Sequence, residues 1–416
     1  MQTTLAALAV LSVGYVLAYF VFDRLRVRFG YAGGAEYVIL GFLLGPKVSG
    51  LLSDTAVRSL TPIASLAMGW LGMSLGTYFR LPELMKLEEG VPRTAFAEAI
   101  TTLAIAFGLL YTALHYLAGL PIAPAALLAS TLSAIAALSA PAAIDAFASQ
   151  PRWAGHPLMP VLQFTARIDG LVGIVTFGLV LAVFHQGAVA PYIRPPTATE
   201  WAVINIAVGV VSGVLFHLFL GRAPSTGNPD DRSQLFVALS AVIVIASGAS
   251  YYLNLSPIYT SMILGFVLVN TGRAHEDVRQ LLLSTERPVY LALLIFAGAM
   301  WTAPDPRLLF LAPAFIGVRL VARYVGGWVA GRWAADRAVR APALGRALLA
   351  QGAIGVALAL NYGQVYPSFR PNLVLTAALL SVLVFEGIAA SETARFIERP
   401  PFATPAQPVP DNEPVT

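Results

Sequence analysis

The sequence contains no cysteine and little charge. The absence of cysteine excludes disulfides, thiolate metal sites and thiol nucleophiles. The five histidines (His115, His156, His185, His217 and His275) are scattered, with no pair at metal-ligand spacing. Charged residues make up 12% of the 416 residues, whereas about 25% is usual in a soluble domain. This composition argues against thiol chemistry, against a resident metal and against a soluble fold.

Motifs for nucleotides and for nucleic acids are also missing. No G-x-G-x-x-G follows a strand and no G-x-x-x-x-G-K-[S/T] occurs, so we expect neither a nucleotide nor another cofactor. The net charge of +4 does not indicate nucleic-acid binding, because the basic residues lie in short loops and form no basic stripe. No nucleophile–base pair is visible, so we do not expect an enzyme.

Hydrophobic residues, by contrast, make up 57% of the chain. That is too much apolar sequence for one aqueous core, so lipid must be the solvent for much of the surface. Most of the apolar runs are long enough to cross about 30 Å of hydrocarbon at about 1.5 Å per residue, some of them with tilt, and the ninth and tenth are the shortest. We count thirteen runs, near residues 4–22, 36–52, 59–79, 94–118, 123–147, 158–185, 200–220, 233–253, 256–271, 288–303, 307–331, 342–364 and 372–391. The sequence therefore predicts an all-α polytopic membrane protein with about thirteen transmembrane helices.

The loops between these runs predict the orientation in the membrane. Alternate loops hold about eighteen Lys and Arg residues, and the other loops hold five. Because cytoplasmic loops are rich in Lys and Arg, we expect a multi-pass protein of the plasma (inner) membrane with its N-terminus outside and its C-terminus cytoplasmic. The first run has no preceding positive charge, so it is expected to be an uncleaved helix. The proline-rich residues 399–416 are expected to form a disordered cytoplasmic tail.

A short motif recurs in the second and ninth runs. Residues 39–45 read ILGFLLG, and residues 263–269 read ILGFVLV. The two runs are seven apart, an odd number, so the copies cross the membrane in opposite directions. This arrangement indicates an inverted-topology repeat, which gives many carriers their two alternating faces.

The repeat pairs the fifth run with the twelfth, and both contain residues that interrupt helices. The fifth contains Ser139 and Pro141, and the twelfth contains Gln351, Gly352 and Gly355. Proline inside a helix removes a backbone hydrogen bond, and interrupted helices at membrane depth line cavities. We therefore expect two discontinuous helices that cross.

Three ionisable residues lie deep within the runs. Asp169 and Arg319 each lie about 16 Å from the start of their run, and Arg323 follows Arg319 by one turn on the same face. An ionised carboxylate at that depth costs several kcal/mol unless a cation, water or counter-charge compensates it. Asp169 could therefore bind a proton and a cation alternately, with either arginine as a structural counter-charge. The alternative is a structural Asp–Arg pair that holds two helices together.

Four further charged residues carry weaker hypotheses. Glu98 and Asp145 lie near the predicted cytoplasmic ends of their runs, where solvation alone can explain them. Glu386 occupies roughly the repeat-related place to Asp169 and is expected to bond a backbone amide or act as a counter-charge. Arg167 is two residues from Asp169 and points away from it.

Taken in order, these residues resemble the monovalent cation–proton antiporters. The similarity covers essentially the whole chain and is greatest with the branch of thirteen-helix sodium–proton antiporters and potassium-efflux carriers. The residues that carry it are GFLLGP at 41–46, SAPAA at 139–143, Asp169, Arg319 and Arg323 before Gly326-Gly327, and Gln351-Gly352.

The resemblance implies that the helices form a mobile core, a dimerisation scaffold and a linker between them. A mobile core would comprise about 94–185 and 307–392, and a dimerisation scaffold about 1–80 and 233–303, joined by a linker helix at about 200–220. Together they make a transporter domain over residues 1–398 that forms a homodimer. The cation and the proton would bind at Asp169, with Ser139 and Thr165, beside the crossing of the interrupted helices.

The sequence departs from the family at two positions. Many members have a second acid where this chain has Ile168, and electrogenic members typically have lysine in the eleventh span, where this chain has arginine. Arginine does not readily release a proton. We therefore expect electroneutral exchange of one Na⁺ or K⁺ for one H⁺.

Two other functions are compatible with the sequence. The intramembrane arginines could bind an anionic solute in a proton-coupled carrier that uses Asp169 for the proton. The chain could also be a sensory or channel-like membrane module that transports nothing by alternating access.

Overall fold

A computed structural model describes residues 8–16, 20, 34–88, 90–153, 155–156, 158–186, 194–220, 229–271, 275–333 and 344–398. Within these ranges the chain forms helices and no β-strand. The helices are α1 (8–16), α2 (Ala35–Leu44), α3 (Asp54–Ser59), α4 (Thr61–Gly76), α5 (Leu81–Leu84), α6 (Gly90–Thr112), α7 (Ile122–Ala136), α8 (Pro141–Ala148), α9 (Met159–Val183), α10 (Ala198–Leu220), α11 (Pro229–Tyr252), α12 (Pro257–Thr271), α13 (His275–Met300), α14 (Leu311–Trp333), α15 (Leu344–Ala347), α16 (Gly352–Val365) and α17 (Pro371–Glu398). The predicted tail, 399–416, lies outside the described residues.

Several helices have the length and composition of membrane spans. Seven segments in the described ranges are long and apolar enough to cross a bilayer. Two of them are α6 with its π-helical end and the combined segment of α7 and α8, and two others are α9 and α17. α12, at 15 residues, is a shorter apolar helix of the same kind. The prediction of an all-α polytopic membrane protein is confirmed, while the count of thirteen spans stays a prediction.

The repeated ILGF motif packs in the same way in both copies. A Cβ atom on Gly41 in α2 would meet the backbone carbonyl of Ile295 in α13, and one on Gly265 in α12 would meet the carbonyl of Met73 in α4. α2 and α12 carry the repeat, and their partners α13 and α4 belong to the tenth and third predicted spans, which are also seven apart. The repeat therefore places two equivalent helix pairs in backbone contact, as the inverted-topology prediction requires.

The two predicted interruptions are present and touch each other. α7 ends at Ala136 and α8 begins at Pro141, while α15 ends at Ala347 and α16 begins at Gly352. Gly352 has φ +64°, a conformation that favours glycine, and a Cβ there would lie 2.8 Å from the Cβ of Ala140. The crossing of two discontinuous helices is thus built on a glycine in one break and a small residue in the other.

The helices around this crossing pack mainly with one another. α6 packs against α7, α9 and α14, and α16 packs against α17. The other main group consists of α4 with α11, α12 and α13, and of α2 with α13. α10 packs against α9 from the first group and against α11 and α12 from the second.

Candidate functional site

Asp169 lies in the middle of α9, facing the two interruptions, and its side chain is fully buried. The hydroxyl oxygen of Ser139 is 2.5 Å from Asp169 Oδ2 and 3.0 Å from the carbonyl oxygen of Leu348. A hydroxyl group has only one proton to donate, so the carboxylate and the second break compete for it. Ser139 therefore joins Asp169 to both interrupted helices.

Arg323 on α14 is the counter-charge that faces Asp169. Its Nη1 donates to Asp169 Oδ2 over 2.7 Å and lies 3.0 Å from each carboxylate oxygen of Glu98. Its Nη2 donates to the carbonyl of Ala137 over 2.6 Å. All three charged side chains have no solvent exposure. One guanidinium thus serves two buried carboxylates.

Arg319, one turn earlier on α14, binds backbone and makes no hydrogen bond to Asp169. Its Nε donates to the carbonyl of Ala136 over 3.2 Å and its Nη2 to that of Leu138 over 2.8 Å. Its Nη1 donates to the carbonyl of Leu349 in the other break over 2.8 Å. Carbonyl groups at helix ends carry partial negative charge. Arg319 therefore compensates the carbonyl ends at both breaks and ties them together.

Glu98 was expected to be explained by solvation, and that interpretation is wrong. Its side chain is fully buried on α6, where it accepts from Thr102 Oγ1 over 3.0 Å as well as from Arg323. A sequence signal existed, since Glu98 and Thr102 lie on a face of small buried residues that includes Thr94, Ala95, Ala99 and Ala106. Such a face packs closely on a neighbour: a Cβ on Gly326 of α14 would meet Thr102 Oγ1.

Two functional groups beside the breaks have no hydrogen-bond partner among the described residues. These are Asp169 Oδ1 and the side-chain amide of Gln351, whose nitrogen and oxygen are both buried. Thr165, one turn before Asp169, donates its hydroxyl proton to the Val161 carbonyl over 2.8 Å, which leaves its oxygen lone pairs free. The two oxygens of Asp169 thus differ: Oδ2 is held by protein donors, and Oδ1 has no partner.

The remaining predicted site residues shape the breaks. Pro141 is the first residue of α8, where a missing backbone N–H costs nothing. Gln351 precedes α16, and its side chain folds over Gly355, where a Cβ would clash with it. Gly352 supplies the positive φ described above. Within the described residues, no group of three His, Asp or Glu side chains is placed to hold a resident metal.

Two other acids lie away from the breaks. Glu386 on α17 accepts from the backbone N–H of Gly34 over 2.9 Å and from the hydroxyl of Tyr290 over 2.5 Å. It bonds a backbone amide as expected, but that amide begins α2. Asp145 on α8 pairs with Arg167 over 3.3 Å, so Arg167 does point away from Asp169. These contacts make both acids links between helices.

Inverted repeats with interrupted helices at membrane depth occur in many transporter folds. The solved structure of the sodium proton antiporter MjNhaP1 from Methanocaldococcus jannaschii is similar, with a TM-score of 0.66 and 13% sequence identity over 95% of this chain and 100% of that chain. The chain therefore has the fold of a sodium proton antiporter. No protein-family model and no curated protein matches it.

Proposed function

We propose that this protein is a secondary active transporter that exchanges a monovalent cation, Na⁺ or K⁺, for H⁺ by alternating access, with Asp169 as the group that carries either ion. The fold of a sodium proton antiporter supports the general class. The specific role of Asp169 rests on its position: it is buried at the crossing of two interrupted helices.

One observation carries the proposal. Asp169 Oδ1 is a buried carboxylate oxygen with no hydrogen-bond partner among the described residues, while Oδ2 is fixed by Arg323 and Ser139. An unpartnered buried acceptor is costly, so Oδ1 is the natural place for a proton or a cation. Ser139 and Thr165 would add hydroxyl oxygens to the same ion, and Gln351 an amide oxygen.

The charges around Asp169 favour one ion at a time. Arg323 faces two carboxylates, Glu98 and Asp169, whereas Arg319 donates to backbone carbonyls. Asp169 Oδ1 has no hydrogen-bond partner among the described residues and can take one ion at a time. H⁺ and a monovalent cation each add one positive charge there, so the loaded site has the same charge with either ion.

The same arrangement supports electroneutral exchange. Arg323 holds Glu98 through both carboxylate oxygens and Thr102 holds one of them, which makes Glu98 a structural partner of that arginine. The arginines do not release protons at ordinary pH. With Asp169 as the group that alternates, one cation crosses for each proton.

Alternating access requires two bodies that move relative to each other. We assign α6–α9 and α14–α17 to a moving core, α1–α4 and α11–α13 to a scaffold that forms a homodimer, and α10 to the link between them. The packing of the helices supports this division, because each group packs mainly within itself and α10 packs against both.

The anion-carrier hypothesis is disfavoured by the arginines themselves. Arg319 donates to three carbonyl oxygens, and both Nη atoms of Arg323 are occupied by protein acceptors. Arginine binds a carboxylate or phosphate through two parallel N–H donors. Neither guanidinium has such a pair of donors free.

The proposal is tested in proteoliposomes that hold a pH gradient reported by an internal dye. Addition of Na⁺ or K⁺, with choline as the inert reference, is expected to collapse the gradient, and Asp169→Asn is expected to abolish the effect. Asp54→Asn, the same substitution at the exposed start of α3, is the matched control and should retain exchange. Collapse by an organic anion alone, or full activity in Asp169→Asn, would overturn the proposal.

Electroneutrality has a separate test. An imposed membrane potential of either sign should leave the exchange rate unchanged in the wild-type protein. A rate that follows the potential would show that net charge moves and that a second group titrates.

A further inference from the structure

A polar cavity lies at the far end of α16 from the crossing. It has a volume of about 230 Å³ and is lined by Tyr251, Tyr252, Asn254, Leu255, Asn361, Gln364 and Val365. Asn361 is nine residues from Gly352, which places it about 14 Å along α16 from the break. The cavity is therefore separate from the Asp169 site, and it lies on the predicted outer side.

Two amide side chains at this cavity each have one buried atom without a hydrogen-bond partner among the described residues. Asn361 is 1% exposed, and its Oδ1 accepts no hydrogen bond. Gln364, three residues further on the same helix face, has a buried Nε2 without an acceptor. Its Oε1 is 3.2 Å from the hydroxyl of Ser65, whose single proton is also within reach of the Thr61 carbonyl. Turning the Gln364 amide over would let Nε2 donate to Ser65 and would direct Oε1 into the cavity.

An unpartnered buried amide costs about 1–3 kcal/mol, so these groups require a bound partner. The cavity has room for several water molecules or for an ion that keeps part of its water shell. It runs from Tyr252, which is 86% exposed, to the buried Asn361, so an ion can reach the amides from the surface.

The chemistry of the lining selects the class of ion. None of the seven lining residues is charged, so there is nothing to hold a divalent cation or to attract an anion. Amide oxygens match monovalent cations, as backbone carbonyls do in selective pores. Tyrosine rings add to this preference, because their π faces attract cations.

We propose that this cavity binds a partly hydrated monovalent cation through Asn361 and Gln364, as an outer station that supplies the ion to Asp169. The inference rests on the proposed exchange function for its purpose, but binding itself does not. The two tyrosines belong to the proposed scaffold and the two amides to the proposed core. Movement of the core would therefore open or divide the site between them.

Binding is tested first without transport. The unfolding temperature of purified full-length Asp169→Asn is measured as NaCl or KCl replaces choline chloride at constant ionic strength. A saturable rise is expected, because the central site has lost its charge and the outer station remains. The rise should disappear with Asn361→Leu and persist with Ser247→Ala, which removes an equally buried, unpartnered polar group from α11. No rise, or a rise that survives Asn361→Leu, would overturn the proposal.

Transport provides a second readout that does not depend on the stability of Asp169→Asn. In the otherwise native chain, Asn361→Leu should raise the KM for the cation applied at the predicted outer face about fivefold. A change of that size corresponds to the loss of one hydrogen bond. kcat should not change. An unchanged KM, or a fall in kcat alone, would show that Asn361 only packs the helix. If wild-type protein exchanges no ions but binds them as described, the exchange function fails and the outer site stands.

Discussion

Arg323 and Glu98 form an ion pair with no solvent exposure, in which one guanidinium nitrogen lies 3.0 Å from both carboxylate oxygens. The same nitrogen lies 2.7 Å from Asp169. Burying charges is costly unless each has a partner, so this arginine makes it possible for two acids to occupy the membrane interior. Glu98 then fixes Arg323, and Arg323 fixes one oxygen of Asp169.

The first prediction concerns this shared arginine. Arg323→Met should destabilise the protein by about 3–5 kcal/mol, because two buried carboxylates lose the cation that contacts them both. The double variant Glu98→Gln/Arg323→Met should recover part of that loss, since one of the two acids is then neutral. Thermal unfolding in detergent measures both.

The matched control is Arg167→Met, whose pair with Asp145 is 25% and 29% exposed at the two side chains. A partly exposed pair contributes about 1 kcal/mol or less. Equal losses for Arg167→Met and Arg323→Met would mean that burial does not govern the role of Arg323.

Arg319 leads to a second prediction, about the crossing itself. Arg319→Lys keeps the charge but cannot span the carbonyls of both breaks as the guanidinium fork does. We expect a loss of about 2 kcal/mol in unfolding free energy, the scale of one or two charged hydrogen bonds. Arg332→Lys, near the exposed end of the same helix, should change stability little. If the two variants were equally stable, the hydrogen bonds of Arg319 to the two breaks would not contribute to the free energy of unfolding.

The sequence predicted much of this arrangement because strong physical signals mark it. Pro141 cannot continue a preceding helix and Gly352 can adopt a positive φ, so both mark possible breaks, and Asp169 in an apolar run has few explanations. The repeated ILGF motif indicated the inverted repeat, and in the structure its glycines, Gly41 and Gly265, lie at equivalent packing contacts.

What the sequence could not supply is which side chains meet. Arg319 and Arg323 share a helix face and differ by one turn, and in the folded protein it is Arg323 that reaches Asp169 while Arg319 reaches backbone carbonyls. Glu98 was misjudged because its distance from the end of a run says little about burial when a neighbouring helix covers that end. Both questions depend on packing between helices far apart in the chain.

The glycines of the repeat support a third prediction. Gly41→Ala and Gly265→Ala should each destabilise the protein by about 1–3 kcal/mol, because the added methyl group has to displace the backbone of a neighbouring helix. Gly248→Ala on α11 is the control: a Cβ there meets nothing within 4 Å. It should be neutral or stabilising by about 0.5–1 kcal/mol, since alanine favours helix. Destabilisation by all three variants alike would exclude close packing as the cause.

The last prediction concerns movement of the core. The hydroxyl of Tyr290 on α13 donates to Glu386 on α17 over 2.5 Å, a contact between the proposed scaffold and the proposed core. If the core moves in each cycle, this bond breaks and reforms each time. Tyr290→Phe removes it and should cost about 1 kcal/mol in stability. The same change should raise the exchange rate up to about fivefold where the movement limits turnover.

Tyr366→Phe separates movement from stability. The hydroxyl of Tyr366 donates over 3.0 Å to the carbonyl of Phe184, and both residues belong to the proposed core. Removing this hydroxyl should lower the unfolding temperature by a similar amount and leave the exchange rate unchanged, because that bond persists through the cycle. Rates measured in proteoliposomes under a fixed pH gradient decide the matter. A faster Tyr366→Phe, or a Tyr290→Phe of unaltered rate, would place the moving boundary elsewhere than between α13 and α17.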